Sequence, residues 1–209
     1  MIAILDYDAG NIKSVEKAVA YLGQEAKITR DRDEILASRS VILPGVGNFG
    51  DAMGKLKEYG LDKVIYDVVD KKIPFLGICL GLQLLYEGSE EAPGVTGLGL
   101  LKGSIHRIPD CPGLKIPHIG WNSLKIRPEA TLFKGIKENP YVYFVHSYYL
   151  KAENEEEVAA ITDYSTLIHA SVEKDNIFAC QFHPEKSGAI GLSILGNFLS
   201  WQSPLKEGC

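Results

Sequence analysis

The sequence predicts an α/β fold, a three-layer sandwich around a central, largely parallel but mixed sheet. In the first half, short β-like apolar runs alternate with stretches of helical periodicity, as in parallel strands joined by crossover helices. From Leu98 onward the texture becomes β-rich, which calls for antiparallel strands that complete or extend the sheet. Helical spacing returns at Gly188 to Trp201, where Ile190, Ile194, Leu195 and Phe198 mark the element that closes the fold.

Each element follows from its residues. IAIL (2–5) is the first strand. Asn11 stands at the cap position of a helix whose apolar residues Ile12, Val15, Ala18, Val19 and Leu22 share one face, and Gly23 stops it. EAKIT and then VIL (41–43) are the next strands. A helical stretch from Phe49 to about Asp70, broken near Gly60, leads to the strand PFLGI (74–78), and LGLQLLYEG (80–88) reads as the helix after it. The second half offers LLKGSIHRI, HIGWNSLKI, YVYFVHSYYL, EVAAIT, IHASV and IFACQF as β segments. ENEEE (153–157) reads as a solvated loop or helix start, not a ligand cluster. The 209 residues, 45% of them hydrophobic, suffice for one domain spanning 1–209.

Composition excludes several classes of function. The net charge is −5, and no basic cluster with interleaved aromatic residues is available to track a phosphate backbone, so nucleic acid is not an expected partner. MIAILDYD lacks a cationic leader and no apolar run approaches the roughly 20 residues that span a bilayer, so a soluble, unexported protein is expected. Cysteines at 79, 111, 180 and 209 form no CxxC pair and no regular spacing. That pattern argues against a disulfide framework and a thiolate metal site, and it fits a reducing cytoplasm.

The chemistry gathers at GICLGLQ (77–83), where an apolar run stops and a helical pattern starts. Gly77-Ile78-Cys79-Leu80-Gly81 has the form of a nucleophile elbow, with glycines two residues either side of Cys79 that let strand and helix backbones approach. The helix N-terminus favours the thiolate, and the Leu80 N–H points where an oxyanion would form. A lone cysteine is more often a small buried residue. The elbow brings the two readings level.

His183-Pro184-Glu185 supplies a base and a carboxylate to orient it. Pro184 pushes His183 toward an extended conformation, and residues i and i+2 of an extended chain project to one side. His106, His118 and His169 lack a carboxylate at i+2, and His146 lies in a period-2 apolar segment, so these four read as structural or at a pocket rim. Joined to the elbow, HPE favours Cys-His-Glu catalysis over a plain turn. Pro44-Gly45-Val46-Gly47, directly after VIL, would bring backbone N–H groups to the same place if the two strands are neighbours. As a nucleotide phosphate loop PGVG lacks the fuller fingerprint.

Together PGVG, GICLGLQ and HPE, in that order, resemble the class I glutamine amidotransferases, a flavodoxin-like fold, over most of the chain. Within that family DYDAGNIKSV, SEEAPGV, PHIGWN and HPEKS most resemble the glutaminase subunits of imidazole glycerol phosphate synthases, which serve histidine biosynthesis. The resemblance implies that Cys79 attacks the carboxamide carbon of glutamine, with the Leu80 N–H and a backbone N–H around Val46 holding the oxyanion. It implies that His183 protonates the departing ammonia and activates water, with Glu185 orienting it. It makes Gly45, Gly47, Gln83, Glu91, Ser147 and Tyr148 substrate contacts, and implies neither cofactor nor metal. The implied partner is a (β/α)8 cyclase, bound as a heterodimer through a face that includes Trp121, Tyr143 and Lys186.

Each of these residues has a plainer reading: Gln83 as an exposed helix residue, Glu91 as a loop charge, Trp121 as core, Tyr143 as a strand residue, Lys186 as a solvated charge. Three further functions use the same motifs. An amidotransferase subunit of another synthase, such as anthranilate synthase, shares the glutaminase but not the acceptor. A γ-glutamyl hydrolase would act alone on peptides. A non-catalytic binding module of this fold would leave Cys79 inert.

Overall fold

Strand β1 (Ile2–Leu5) lies inside an eight-stranded sheet and pairs in parallel with β2 (Ala26–Thr29) on one side and β3 (Ser40–Leu43) on the other. The computed structural model describes residues 1–201; Cys209 lies outside the described residues. Beyond β3 come β4 (Phe75–Ile78) and β12 (Ile177–Cys180), both parallel to their inner neighbours. The sheet then turns antiparallel through β11 (Thr166–Lys174), β10 (Val158–Tyr164) and the short edge β7 (Lys125–Ile126).

Strands β1, β3, β4 and β12 are buried on both faces, so they read as nearly continuous apolar runs rather than as alternation. Successive residues feed opposite cores. Leu5, Val41, Leu43, Phe75 and Ala179 pack under α3 (Phe49–Glu58) and α4 (Leu61–Asp70), which bring Met53, Leu56, Ile65 and Val68. Ile2, Ile4, Ile42, Leu76 and Phe178 pack under α1 (Ile12–Tyr21) and α6 (Gly188–Ser200), which bring Val15, Val19, Leu195 and Phe198. Two cores on one sheet give the three layers. The expected break at Gly60 is a left-handed residue, φ 66°, between α3 and α4.

The structure differs from the sequence reading in five places. A short helix α2 (Arg32–Leu36), capped by Asp31, precedes β3. The helix expected over 80–88 is only α5 (Leu80–Leu84). It ends early because the segment 97–101 captures its last carbonyls, with Leu98 N–H bonding Leu84 O at 2.8 Å and Leu100 N–H bonding Leu85 O at 2.9 Å. Not every late β segment extends the sheet: β5 (Gly103–Arg107) pairs with β9 (Tyr148–Ala152), and β6 (His118–Ser123) with β8 (Tyr141–His146), as separate two-stranded ribbons. In the acidic stretch Asn154 caps a single 3-10 turn over Glu155–Glu157, and Glu157 is buried against Lys174 at 2.9 Å.

Asn11 is the fifth difference. It precedes α1 as expected but sits at φ 68°, ψ 7° and caps nothing with its side chain. The amide is committed elsewhere, as the site shows.

Candidate active site

The register that places β4 between β3 and β12 also assembles the site. Leu43 opposes Gly77, and Cys180 opposes Ile78, so PGVG, Cys79 and the segment from Gln181 to Glu185 all emerge at the carboxyl edge of the parallel strands. Cys79 occupies a positive-φ corner at φ 55°, ψ −108°. Such a backbone is strained for an L-residue and survives only where its surroundings over-determine it. Here Cys79 N–H donates to Cys180 O at 2.7 Å, and the flanking glycines permit the crowding. A Cβ on Gly81 would lie 2.0 Å from Leu43 O, and one on Gly77 2.7 Å from Gly81 O.

His183 and Glu185 meet, although not along an extended chain. His183 is extended at φ −101°, ψ 96°, then Pro184–Lys186 forms a 3-10 turn that swings the carboxylate back to the imidazole. Nδ1 lies 2.8 Å from Glu185 Oε1, and both side chains are 1% exposed. Burial pulls the His183 pKa down, but the Cys79 sulphur and the Glu185 carboxylate outweigh it and raise it to about 9. His183 is therefore a cation at neutral pH. Its Nε2 is buried and, among the described residues, has no hydrogen-bond partner of good geometry.

A cleft of about 290 Å³ opens over the sulphur, with Val46, Gly47, Leu80, Gln83 and Glu91 on one side and Val145, Ser147 and Tyr148 on the other. Of the expected substrate residues only Gly45 lies behind the lining, wedged so tightly that a Cβ there would come within 2.5 Å of the Tyr7 hydroxyl. Gln83 is not an exposed helix residue. It is 4% exposed, and its Nε2 donates to Tyr148 O at 3.1 Å and Gln181 Oε1 at 3.0 Å, which leaves Oε1 as its polar atom for a ligand. One Glu91 oxygen is taken by the Phe49 N–H, at 2.8 Å. A larger surface depression, about 860 Å³ between α6 and Lys134–Lys137, has no cysteine, histidine or carboxylate in its lining.

The two backbone groups expected to bind an oxyanion are adjacent but not both free. Leu80 N–H donates to Gly45 O at 3.3 Å. The peptide between Gly45 and Val46 thus turns its carbonyl toward the elbow, and a carbonyl cannot donate to an anion.

The sequence profile of the class-I glutamine amidotransferases matches residues 3–200. This chain belongs to that family.

Among curated relatives of this amidotransferase, the imidazole glycerol phosphate synthase subunit HisH of Methanocaldococcus jannaschii is 50% identical over 199 residues, 95% of this chain and 98% of that one. The HisH subunit of Caldanaerobacter subterraneus subsp. tengcongensis is 51% identical over 198 residues, covering 95% and 97%. A solved glutamine amidotransferase superposes with TM-score 0.74 over 95% of this chain and 96% of its own, at 21% identity. The PurLQS structure from Thermotoga maritima gives 0.74 at 20%, over 95% and 96%. These likenesses establish the fold, with its mixed sheet between helical layers.

The amidotransferase also shows what sequence reasoning missed. Asn11 Nδ2 donates to Glu185 Oε1 at 3.0 Å while its Oδ1 accepts from Ser14 Oγ at 2.7 Å, so the residue read as a helix cap is the second donor on the carboxylate that faces His183. Asparagine tolerates the left-handed conformation this needs. Trp121 is not core: it is 55% exposed and stands edge-on to Tyr143, with ring centres 6.1 Å apart. Ile119 and Tyr141, exposed at 59% and 60%, lie on the same face of the β6–β8 ribbon, whose opposite face buries Val142 and Phe144. The signal was present in YVYFVH, where Tyr141, Tyr143 and Val145 make the outer face as apolar as the inner one, and in the Ile119–Trp121 face of HIGWNS. Lys186 is exposed on the turn that carries Glu185. His118 and His146 lie 3.0 Å apart between Nδ1 and Nε2 with their rings tilted, and His146 lines the cleft. Burial lowers them to about 4 and about 3, so both are neutral at pH 7.

Among the described residues no helix is long and apolar enough to cross a membrane.

Proposed function

We infer that this chain is the glutaminase subunit of an imidazole glycerol phosphate synthase, which hydrolyses glutamine to glutamate and ammonia and passes the ammonia to a (β/α)8 cyclase. One observation carries the reading: a cysteine on a strained elbow, a buried imidazolium and its carboxylate converge on a cleft of glutamine size, in a chain about half identical to HisH subunits along nearly its whole length. Cys79 as thiolate adds to the carboxamide carbon, and charge develops on the carbonyl oxygen. His183 gives its Nε2 proton to the departing ammonia, leaving a γ-glutamyl thioester on Cys79. It then takes a proton from water, whose attack releases glutamate. Glu185 holds Nδ1–H and supports the imidazolium throughout. Gly47, Gln83, Glu91, Ser147 and Tyr148 bound the space for the amino-acid end of the substrate, with Gly45 supporting them from behind. Labelling with a glutamine-like chloroketone is expected to modify Cys79 alone. Modification elsewhere with Cys79 intact would favour the binding-module reading.

The oxyanion is where this chemistry is held back at rest. Leu80 N–H and Val46 N–H form the hole only after the Gly45–Val46 peptide turns over, which changes ψ of Gly45 and φ of Val46. Glycine makes the first rotation easy, whereas β-branched Val46 resists positive φ. A missing oxyanion donor costs roughly 10² to 10³ in turnover. Val46→Gly is therefore expected to raise the glutaminase rate of the chain alone and to shrink its stimulation by the liganded partner. A basal rate unchanged by the substitution would remove Val46 from this role.

Free ammonia is protonated in neutral water and loses its nucleophilic lone pair, so its transfer requires a sheltered passage between two active sites. The exposed aromatic face supports the site of that second protein. Tyr143 O accepts from His183 N–H at 2.9 Å, so the strand that presents the aromatic face also holds the base. Aromatic anchors of this kind dominate interface energies. Trp121→Ala or Tyr143→Ala is expected to weaken assembly or let ammonia escape, read as glutamate formed per product formed. Unchanged affinity and unchanged stoichiometry would take both residues out of the interface. Co-purification with a barrel cyclase, rather than with an anthranilate synthase component, identifies the acceptor. The complex is expected to work in the cytoplasm, without a cofactor or metal on this chain.

A further inference from the structure

We propose that Gln181 is a further catalytic residue: its side-chain amide donates a hydrogen bond to the Cys79 sulphur and stabilises the thiolate that attacks glutamine. The inference rests on the reading of Cys79 as nucleophile.

Gln181 is the polar exception in the apolar run IFACQF, fully buried just beyond the end of β12. Its Nε2 lies 3.6 Å from Cys79 Sγ. The orientation of the amide follows from its neighbours. Tyr148 O, 3.1 Å from Gln83, can only accept, so the Gln83 atom facing it is Nε2. The same Nε2 lies 3.0 Å from Gln181, so the Gln181 atom it meets is the acceptor Oε1. The other end of Gln181, a donor, is then the one turned to the sulphur. A flipped Gln181 would place two donors together and a carbonyl against the nucleophile.

Among the described residues no other donor has hydrogen-bond geometry to the sulphur. The other polar contact of the sulphur is Val145 O at 3.9 Å, an acceptor that suits the neutral thiol and opposes the thiolate. His183 Nε2 makes no hydrogen bond with it. His183 must moreover surrender its proton during turnover, whereas a carboxamide N–H stays in place. A hydrogen bond to a buried charge shifts an equilibrium by about ten- to hundredfold.

The test uses the full chain, alone for alkylation and assembled with its cyclase for turnover, in three forms: unaltered, Gln181→Met and Gln181→Glu. Methionine keeps the volume without the donor. Glutamate keeps the shape and the acceptor for Gln83 but turns an oxygen to the sulphur. Iodoacetamide alkylation of Cys79 at pH 7 is expected to slow by about ten- to hundredfold in Gln181→Met and further in Gln181→Glu, with rates converging toward that of the unaltered chain as pH approaches 10. Glutamine-dependent kcat is expected to fall with alkylation, and KM to change little. A merely structural role would lower the melting temperature without this pH-dependent convergence. If Gln181→Met melts early, Gln181→Glu carries the comparison. Alkylation rates and kcat equal to those of the unaltered chain in either folded variant overturn the inference and leave the nucleophile standing. Glutamine turnover retained by Cys79→Ser would overturn the nucleophile, and the inference with it.

Discussion

Cys79→Ala is expected to abolish glutamine-dependent synthesis by the assembled enzyme while leaving synthesis from ammonium salts intact. The substitution removes one buried sulphur from a corner whose backbone is held by Cys180 O and by the packing of Gly77 and Gly81, so the elbow itself persists. What disappears is the atom on which the proposed mechanism carries the γ-glutamyl group. Losing the nucleophile of a triad that works as a unit costs about 10⁶ in turnover. Ammonium-dependent synthesis needs only the second active site, on the partner. Rates of product formation with glutamine and with ammonium salts, measured on one preparation, make the comparison. Loss of both reactions would show that Cys79 serves the structure of the complex rather than its chemistry.

Glu185→Gln is expected to keep the fold and lose about 10³ to 10⁴ in glutamine-dependent turnover, by the precedent of triad orienters. Glu185 is held from two directions, its Oε1 meeting His183 Nδ1 at 2.8 Å and Asn11 Nδ2 at 3.0 Å. An amide there is neutral, so it supports neither the raised pKa of His183 nor the imidazolium that protonates ammonia. Its NH2 end, if turned to the histidine, also fixes the wrong tautomer. His183→Asn is expected to be at least as damaging. Near-normal turnover of Glu185→Gln, measured as glutamate released, would contradict the orienting role.

Much of the site was legible because its chemistry is local in sequence. G-x-C-x-G needs its glycines for reasons visible in the residues: the Cβ positions at Gly77 and Gly81 are filled by neighbouring backbone. HPE placed base and carboxylate two residues apart, and any turn after Pro184 that brings them together serves, so the contact was foreseen although the extended geometry was not. The inner parallel strands β1, β3, β4 and β12 were legible because burial on both faces leaves nearly uninterrupted apolar runs.

What escaped depends on contacts distant in sequence. Asn11 has the composition of a cap, and only the meeting of residues 174 positions apart turns its amide to Glu185. α5 is shorter than its periodicity implies because its carbonyls are claimed by Leu98 and Leu100, which no helical periodicity reveals. The β6–β8 ribbon reads in sequence as more of the main sheet because alternation records that one face is buried, not against which layer. Trp121 shows the same limit: an aromatic residue in a strand looks like core until the register puts it on the outer face. Gln181 reads in the sequence only as part of the β segment IFACQF, and its place beside Cys79 follows from the pairing of β12 with β4.

On the proposed mechanism the hydrogen bond from Leu80 N–H to Gly45 O links the chemistry to its control, because it occupies one of the two donors assigned to the oxyanion. The measurement that bears on this most directly is glutamate release by the full chain alone, with the cyclase, and with the cyclase carrying its nucleotide ligand. The expected result is a slow rate for the chain alone and stimulation of roughly 10² to 10³ by the liganded partner, the cost of one absent oxyanion donor. A fast rate for the isolated chain, indifferent to the partner and its ligand, would contradict it.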